Sequence, residues 1–301
     1  MRTILLLAAG LGLTMAVFLA NARYRGIVAV ARAEDNLKIG ERVYQENCAA
    51  CHGQKGDGKG PQADKLKTKP RDFTAGIYKF RSTPSGSLPL DEDIFRTIST
   101  GVRGTSMLAQ LQLTNEERRA VAQYLKTFST RFKKQNPGQP ISIPARPVEN
   151  KELIARGKTL YQDAGCASCH GADGTGDGSS AEGLKDSWGF PIRPADLTVK
   201  PFKSGSKPED LYRTLSAGLD GTPMPSYAAV LSADERWALV SYVLSIAVNE
   251  KPRGMMGLVG EEVDGMRIDM RAAMAGMMGG RSGMGPGGGM MKREMNDMMR
   301  R

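Results

Sequence analysis

All four cysteines and both histidines of this 301-residue chain belong to one motif written twice. The copies are Cys48-Ala49-Ala50-Cys51-His52 and Cys166-Ala167-Ser168-Cys169-His170, 118 residues apart. Each is followed by a methionine at almost the same interval: Met107 lies 55 residues after His52, and Met224 lies 54 after His170. These are the only methionines between residues 34 and 250, and they sit in matching loops, Gly104-Thr105-Ser106-Met107 and Gly221-Thr222-Pro223-Met224. The fold must therefore build two equivalent sites, with one imidazole and one thioether available to each.

Cys-x-x-Cys-His is the attachment sequence for haem c: two thiols add to the porphyrin vinyl groups and the adjacent imidazole reaches the iron. A thioether as sixth ligand favours ferrous iron and raises its potential, which suits an electron carrier. On this reading Cys48, Cys51, Cys166 and Cys169 form the covalent thioethers of two haem c groups. His52 with Met107, and His170 with Met224, are the axial iron ligands. A thioredoxin-like dithiol would follow a strand, and no strand-rich pattern precedes either motif. A four-thiol zinc site would have to join pairs 118 residues apart, each with a histidine fixed behind it.

The repeat extends beyond the motifs. Gly40-Glu41-Arg42-Val43-Tyr44 matches Gly157-Lys158-Thr159-Leu160-Tyr161, and the glycine-rich loops Gly56-Asp57-Gly58 and Gly176-Asp177-Gly178 follow the motifs. Lys69-Pro70-Arg71-Asp72-Phe73-Thr74 echoes Arg193-Pro194-Ala195-Asp196-Leu197-Thr198, and Ile94–Ser99 matches Leu211–Ser216. Capping boxes at Thr114…Glu117 and Ser232…Glu235 predict the start of a last helix in each copy. Strand-type alternation is nearly absent. The expected architecture is all-α, with about three helices per copy around one haem, too small a core to fold well without it. The expected boundaries are residues 34–132 and 151–250 for the two domains, and 133–150 for a semi-rigid linker with four prolines between Lys133 and Val148.

Residues 1–33 read as a secretory signal: Arg2, an uncharged apolar run over residues 3–20, then small-residue sites around Ala22 and Ala33. Left uncleaved, the same run is long enough to anchor the protein in the cytoplasmic membrane. Either way the domains are expected in the periplasm. The net charge of +10 is uneven: residues 34–150 hold 19 Lys/Arg against 13 Asp/Glu, and residues 151–250 hold 10 against 13. A basic and an acidic module suggest two docking faces. The scattered basic residues and the export signal argue against nucleic-acid binding.

With two such motifs, flanking helices and a tandem repeat, residues 34–250 resemble the class I dihaem c-type cytochromes, cytochrome c4-like proteins with tandem cytochrome c domains. The resemblance implies that Gly40 with Tyr44, and Gly157 with Tyr161, lie on a first helix crossing the last, which supplies Tyr124 and Tyr242. It implies that the carbonyls of Pro70 and Pro194 fix the proximal imidazoles. Lys69, Arg71 and Arg193 are candidate propionate partners. The insertion Trp188-Gly189-Phe190-Pro191-Ile192 in the second copy either covers a haem edge or forms the face between modules. Six-ligated iron leaves no open position for substrate, so the expectation is an electron carrier and not an enzyme. Its donor and acceptor would be redox proteins, such as a membrane oxidase or reductase or a periplasmic dehydrogenase. The competing reading is a peroxidase-like enzyme or gas sensor in which one methionine is displaced, or an electron-transfer subunit of a larger complex.

Residues 251–301 hold 13 of the 17 methionines, with glycine-rich stretches such as Gly285–Gly289. This composition predicts a disordered extension. Thioethers that select Cu(I), or an adaptable partner-docking segment, are the functional alternatives.

Overall fold

The computed structural model describes residues 33–249 and a two-stranded antiparallel pair, β3 (Glu262–Val263) with β4 (Met266–Arg267). Residues 1–32 of the leader, and the tail apart from that pair, lie outside the described residues. Among the described residues no helix is long and apolar enough to cross a membrane.

The first module runs through α1 (33–47), the one-turn α2 (Ala49–His52), a 3-10 turn (Ala63–Lys65), α3 (Asp91–Thr100), α4 (Asn115–Lys126) and α5 (Arg131–Lys134). The second repeats it with α6 (Lys151–Asp163), α7 (Cys166–His170), α8 (Pro208–Ala217) and α9 (Ala233–Ile246). Among the described residues its regular strands are β1 (Val199–Lys200) and β2 (Val248–Asn249), paired in parallel. Each module therefore has three long helices and a one-turn helix that carries the Cys-x-x-Cys-His motif.

The last helices begin where their capping boxes place them. The Thr114 hydroxyl accepts from the Glu117 amide at 3.2 Å while the Glu117 carboxylate accepts from the Thr114 amide at 3.0 Å. Ser232 and Glu235 repeat the exchange at 3.3 and 2.9 Å. Reciprocal capping of this kind satisfies amides that a helix start otherwise leaves unpaired.

First and last helices touch backbone to backbone at a glycine. A Cβ on Gly40 would lie 2.3 Å from the Ala120 carbonyl oxygen, and one on Gly157 would lie 2.0 Å from that of Ala238. One turn further on, Tyr44 packs against Tyr124 with ring centroids 5.5 Å apart, and Tyr161 against Tyr242 at 5.3 Å. Both inner tyrosines are buried, and each donates its hydroxyl to the glycine after the histidine: Tyr44 to Gly53 O at 2.6 Å, Tyr161 to Gly171 O at 2.8 Å. The crossing predicted from Gly40, Tyr44, Gly157 and Tyr161 is thus present in both modules.

The cores differ in chemistry at one matched pair. Arg119 lies over Phe95 at 4.2 Å in the first module, while the second packs Trp237 against Tyr212, tilted, with ring centroids 4.5 Å apart at the same positions. The first core is one cluster around Val43, Tyr44, Phe73, Ile94 and Val121. The second is two clusters, one around Trp237 and one around Tyr161, with Leu197 and Leu215 packing on both. The linker is tied at two points: the Ile141 amide donates to Ser82 O at 2.7 Å, and Ile143 packs on the Trp237 cluster.

Alanine at Gly157 gains about 1 kcal/mol of helix propensity. Forcing a methyl group into a packed contact costs about 1–3 kcal/mol or more, and here the obstacle is rigid backbone. Gly157→Ala should therefore destabilise the haem-loaded protein by about 2 kcal/mol net, read by denaturant unfolding; an unchanged or raised midpoint would contradict the close crossing.

Candidate haem sites

Each motif occupies a one-turn helix directly after the first long helix, held by the tyrosine contacts just described. The histidine backbone is then locked by the following loop: Gly58 N–H donates to His52 O at 2.9 Å, and Gly176 N–H to His170 O at 2.7 Å. Gly60 donates to Cys51 O and Gly178 to Cys169 O, at 3.1 and 3.2 Å. The loops thus pair Gly58 with Gly176, while Asp57 and Asp177 both bring a carboxylate against the glycine after the histidine from positions that differ by two.

The imidazoles are oriented by backbone carbonyls. His52 Nδ1 lies 3.0 Å from Arg71 O and His170 Nδ1 lies 2.9 Å from Ala195 O. A carbonyl only accepts, so Nδ1 carries the proton and Nε2 keeps its lone pair, the form in which imidazole binds a metal. Burial holds both rings below the ordinary histidine pKa, which keeps them neutral. The expectation that Pro70 and Pro194 supply these carbonyls is corrected by one residue. The prolyl carbonyls face the glycine loop instead, where a Cβ on Gly58 or Gly176 would lie 2.9 Å from Pro70 O or Pro194 O. The turn that follows is the same in both modules: Asp72 Oδ1 accepts from the Thr74 amide at 2.8 Å, and Asp196 Oδ1 from the Thr198 amide at 2.8 Å.

The methionine loops are also superposable in their bonding. Gly101 (φ +65°) and Gly218 (φ +69°) end α3 and α8 in a conformation that suits glycine. Val102 N–H then donates to Met107 O at 2.8 Å, and Leu219 N–H to Met224 O at 3.1 Å. Inside each loop a threonine hydroxyl bridges the turn: Thr105 donates to Val102 O and accepts from the Met107 amide, and Thr222 does the same for Leu219 and Met224. Both methionines are half-buried.

The thiols are free and half-buried. Burial pushes the Cys48 thiol up to about 11, with Cys51 adding to it, and burial also raises Cys51 and Cys166. A thiol–disulfide catalyst needs the opposite, a stabilised thiolate. Among the described residues no cluster of three or more His, Cys, Asp or Glu side chains could hold a metal ion by itself. A haem fits the donor set present. Two thiols and a neutral imidazole with Nε2 available stand on one turn of helix. The buried donors Tyr78 Oη, Tyr212 Oη and Trp237 Nε1 have no partner among the described residues, and haem propionates are acceptors of the kind they lack. Lys69 is used elsewhere, since Nζ donates to Ala63 O and Asp64 O at 3.2 and 3.1 Å. The Arg71 guanidinium lies over the Trp188 ring at 4.3 Å, which places the second module's insertion on the face between the modules. Arg193 is exposed.

Residues 37–129 and 154–247 each match the cytochrome c family model. The chain belongs to the cytochrome c family. A solved chain of the Kuenenia stuttgartiensis reducing HAO-like protein complex is similar to this cytochrome at 46% identity and TM-score 0.69, over 70% of this chain and 96% of that one. The cbb3-type cytochrome c oxidase subunit CcoP of Rubrivivax gelatinosus is 27% identical over 220 residues, 73% of this chain and 57% of the relative. CcoP of Azospirillum brasilense is 28% identical over 240 residues, 74% and 70% of the two chains. The match to CcoP of Helicobacter pylori spans about two fifths of that relative's length (39%).

The Thr105 hydroxyl is buried and satisfies two backbone groups at once. Thr105→Val should cost about 1–2 kcal/mol of holoprotein stability, and the more exposed Thr222→Val less, by denaturant unfolding. Equal and negligible losses would contradict this account of the loops.

Proposed function

We propose that this chain is an exported dihaem electron carrier working within or beside a larger redox complex. Cys48 and Cys51 hold one haem c and Cys166 and Cys169 the other; His52 and Met107, and His170 and Met224, are the axial ligands. Haem iron supplies a one-electron ferric/ferrous couple. The residues around it hold the couple steady: carbonyl-bound imidazoles fix the proximal side, and threonine-braced loops fix the distal side, so neither ligand set has to rearrange when an electron arrives.

The observation that carries this reading is the identical construction of the two sites. A catalytic or sensing haem would call for one site built differently at its sixth position, and both methionine loops show the same internal bonds. The similarity to a chain of a reducing HAO-like complex, and to oxidase subunits, supports a partner that is itself a redox enzyme. The apolar run over residues 3–20 supports export, with the mature domains in the periplasm, free or anchored there.

In a redox titration of the matured protein, two haems per chain should each show the far-red thioether-to-iron charge-transfer band when ferric, and each should titrate as a one-electron couple at positive potential. Met107→Ala and Met224→Ala should each remove about half the band and leave one high-spin haem. A wild-type haem that is high-spin and binds carbon monoxide would overturn the carrier reading in favour of an enzyme or sensor.

A further inference from the structure

Each module carries an insertion that the other lacks, and the two insertions meet on the same short stretch of chain, residues 217–221, which leads into Met224. In the first module 13 residues separate Lys79 from Asp93, whereas six separate Lys203 from Asp210. The extra chain contains Arg81, Ser85 and Gly86. The second module's insertion is a tight turn in which Asp186 Oδ1 accepts from the Trp188 and Phe190 amides at 2.9 and 3.0 Å, so that Trp188 projects from its tip.

From one side, the first module takes hold of the start of the Met224 loop. The Arg81 side chain is fully buried, and its Nη2 donates to Ala217 O and to Asp220 Oδ1, both at 2.8 Å. The same carboxylate accepts from Ser85 Oγ on Oδ1 and from the Gly86 amide on Oδ2, both at 2.9 Å. Three donors from the first module thus converge on one aspartate of the second. From the other side, Ser187 N–H donates to Gly221 O at 3.1 Å, and the Trp188 ring and the Arg71 guanidinium that lies over it both abut Gly221. The fit leaves no slack: a Cβ on Gly221 would lie 2.7 Å from the Trp188 ring and 3.0 Å from Arg71 Nη1. The loop is only seven residues long from Gly218 to Met224, so fixing its first four residues constrains where Met224 begins. In the Met107 loop the position of Asp220 is taken by Arg103, which cannot accept from an arginine.

We propose that Arg81, Asp220 and Trp188 are positioning residues through which the first module holds the Met224 loop in its ligating shape. The sixth ligand of the second haem then depends on the Arg81–Asp220 contact between the modules, which does not touch the Met107 loop. This rests on the reading of Met224 as an axial ligand.

The test uses full-length holoprotein with one distal methionine replaced, so that the remaining thioether band reports a single site. In the Met107→His background the band reports Met224, and in the Met224→His background it reports Met107. Imidazole is titrated into the ferric protein, and its displacement of the thioether is read from the band. Adding Arg81→Gln, a change in the other module, should raise imidazole affinity at the Met224 site about tenfold, the effect of unpairing one buried charge-assisted contact. The Met107 site should keep its affinity. Trp188→Ala should act in the same direction, while Arg81→Lys, which keeps the charge, should restore part of the effect. Should Arg81→Gln not yield folded holoprotein, Asp220→Asn, at the partly exposed end of the pair, is read in its place. Unchanged imidazole affinity at the Met224 site, or an equal rise at both sites, would overturn the proposal. Absence of the band from the Met107→His parent itself would instead overturn the ligand reading on which it stands.

Discussion

Gly157 lies so near the Ala238 carbonyl that no other residue can take its place without moving one helix, and Gly40 stands in the same relation to Ala120. The sites follow from these two crossings. Because the helices meet there, Tyr44 and Tyr161 are driven inward against the last helix and reach the carbonyl of the glycine after each histidine. That bond fixes where the one-turn helix ends. The following loop then brings the Arg71 or Ala195 carbonyl to Nδ1. A contact between two helix backbones thus sets the direction of an imidazole nitrogen 12 residues from Gly40 and 13 from Gly157.

The chemistry at that nitrogen is simple. A ring proton given to a carbonyl leaves the opposite lone pair outward and neutral, and burial discourages any second proton. On the distal side a threonine hydroxyl, acting as both donor and acceptor, closes a turn that glycine makes possible. The threonine brace is local to the loop in both modules, and at the Met224 loop the first module adds Arg81, Ser85 and Gly86 on Asp220.

Much of this was legible in the chain. The duplicated motif gave the number of sites, the capping boxes gave the starts of α4 and α9, and the glycine–tyrosine spacing gave the helix crossing. Features that depend on where a backbone group points were harder to read. Pro70 and Pro194 stand next to the residues whose carbonyls are used, and sequence spacing cannot resolve a shift of one residue in a turn. The shared Gly-Asp-Gly tripeptides Gly56–Gly58 and Gly176–Gly178 do not coincide in the fold, which pairs Gly58 with Gly176. Arg81 and Asp220 went unnoticed altogether. The signal for them was present: the matched segments around Pro70 and Pro194 are offset by 124 residues, and those around Ile94 and Leu211 by 117, so the first module had to contain an insertion. That the insertion would bury an arginine against the other module is a tertiary fact with no local pattern.

As proposed, two carbonyl-oriented histidines and two loop-held methionines form equivalent ligand sets for two haems. An experimentally determined structure of the matured, haem-loaded protein tests this most directly. Iron is expected on Nε2 of His52 and of His170, with the sulfurs of Met107 and Met224 on the opposite faces and both Nδ1 atoms still bonded to Arg71 O and Ala195 O. Iron bound through Nδ1, or a sixth position filled by anything other than these methionines, would contradict it.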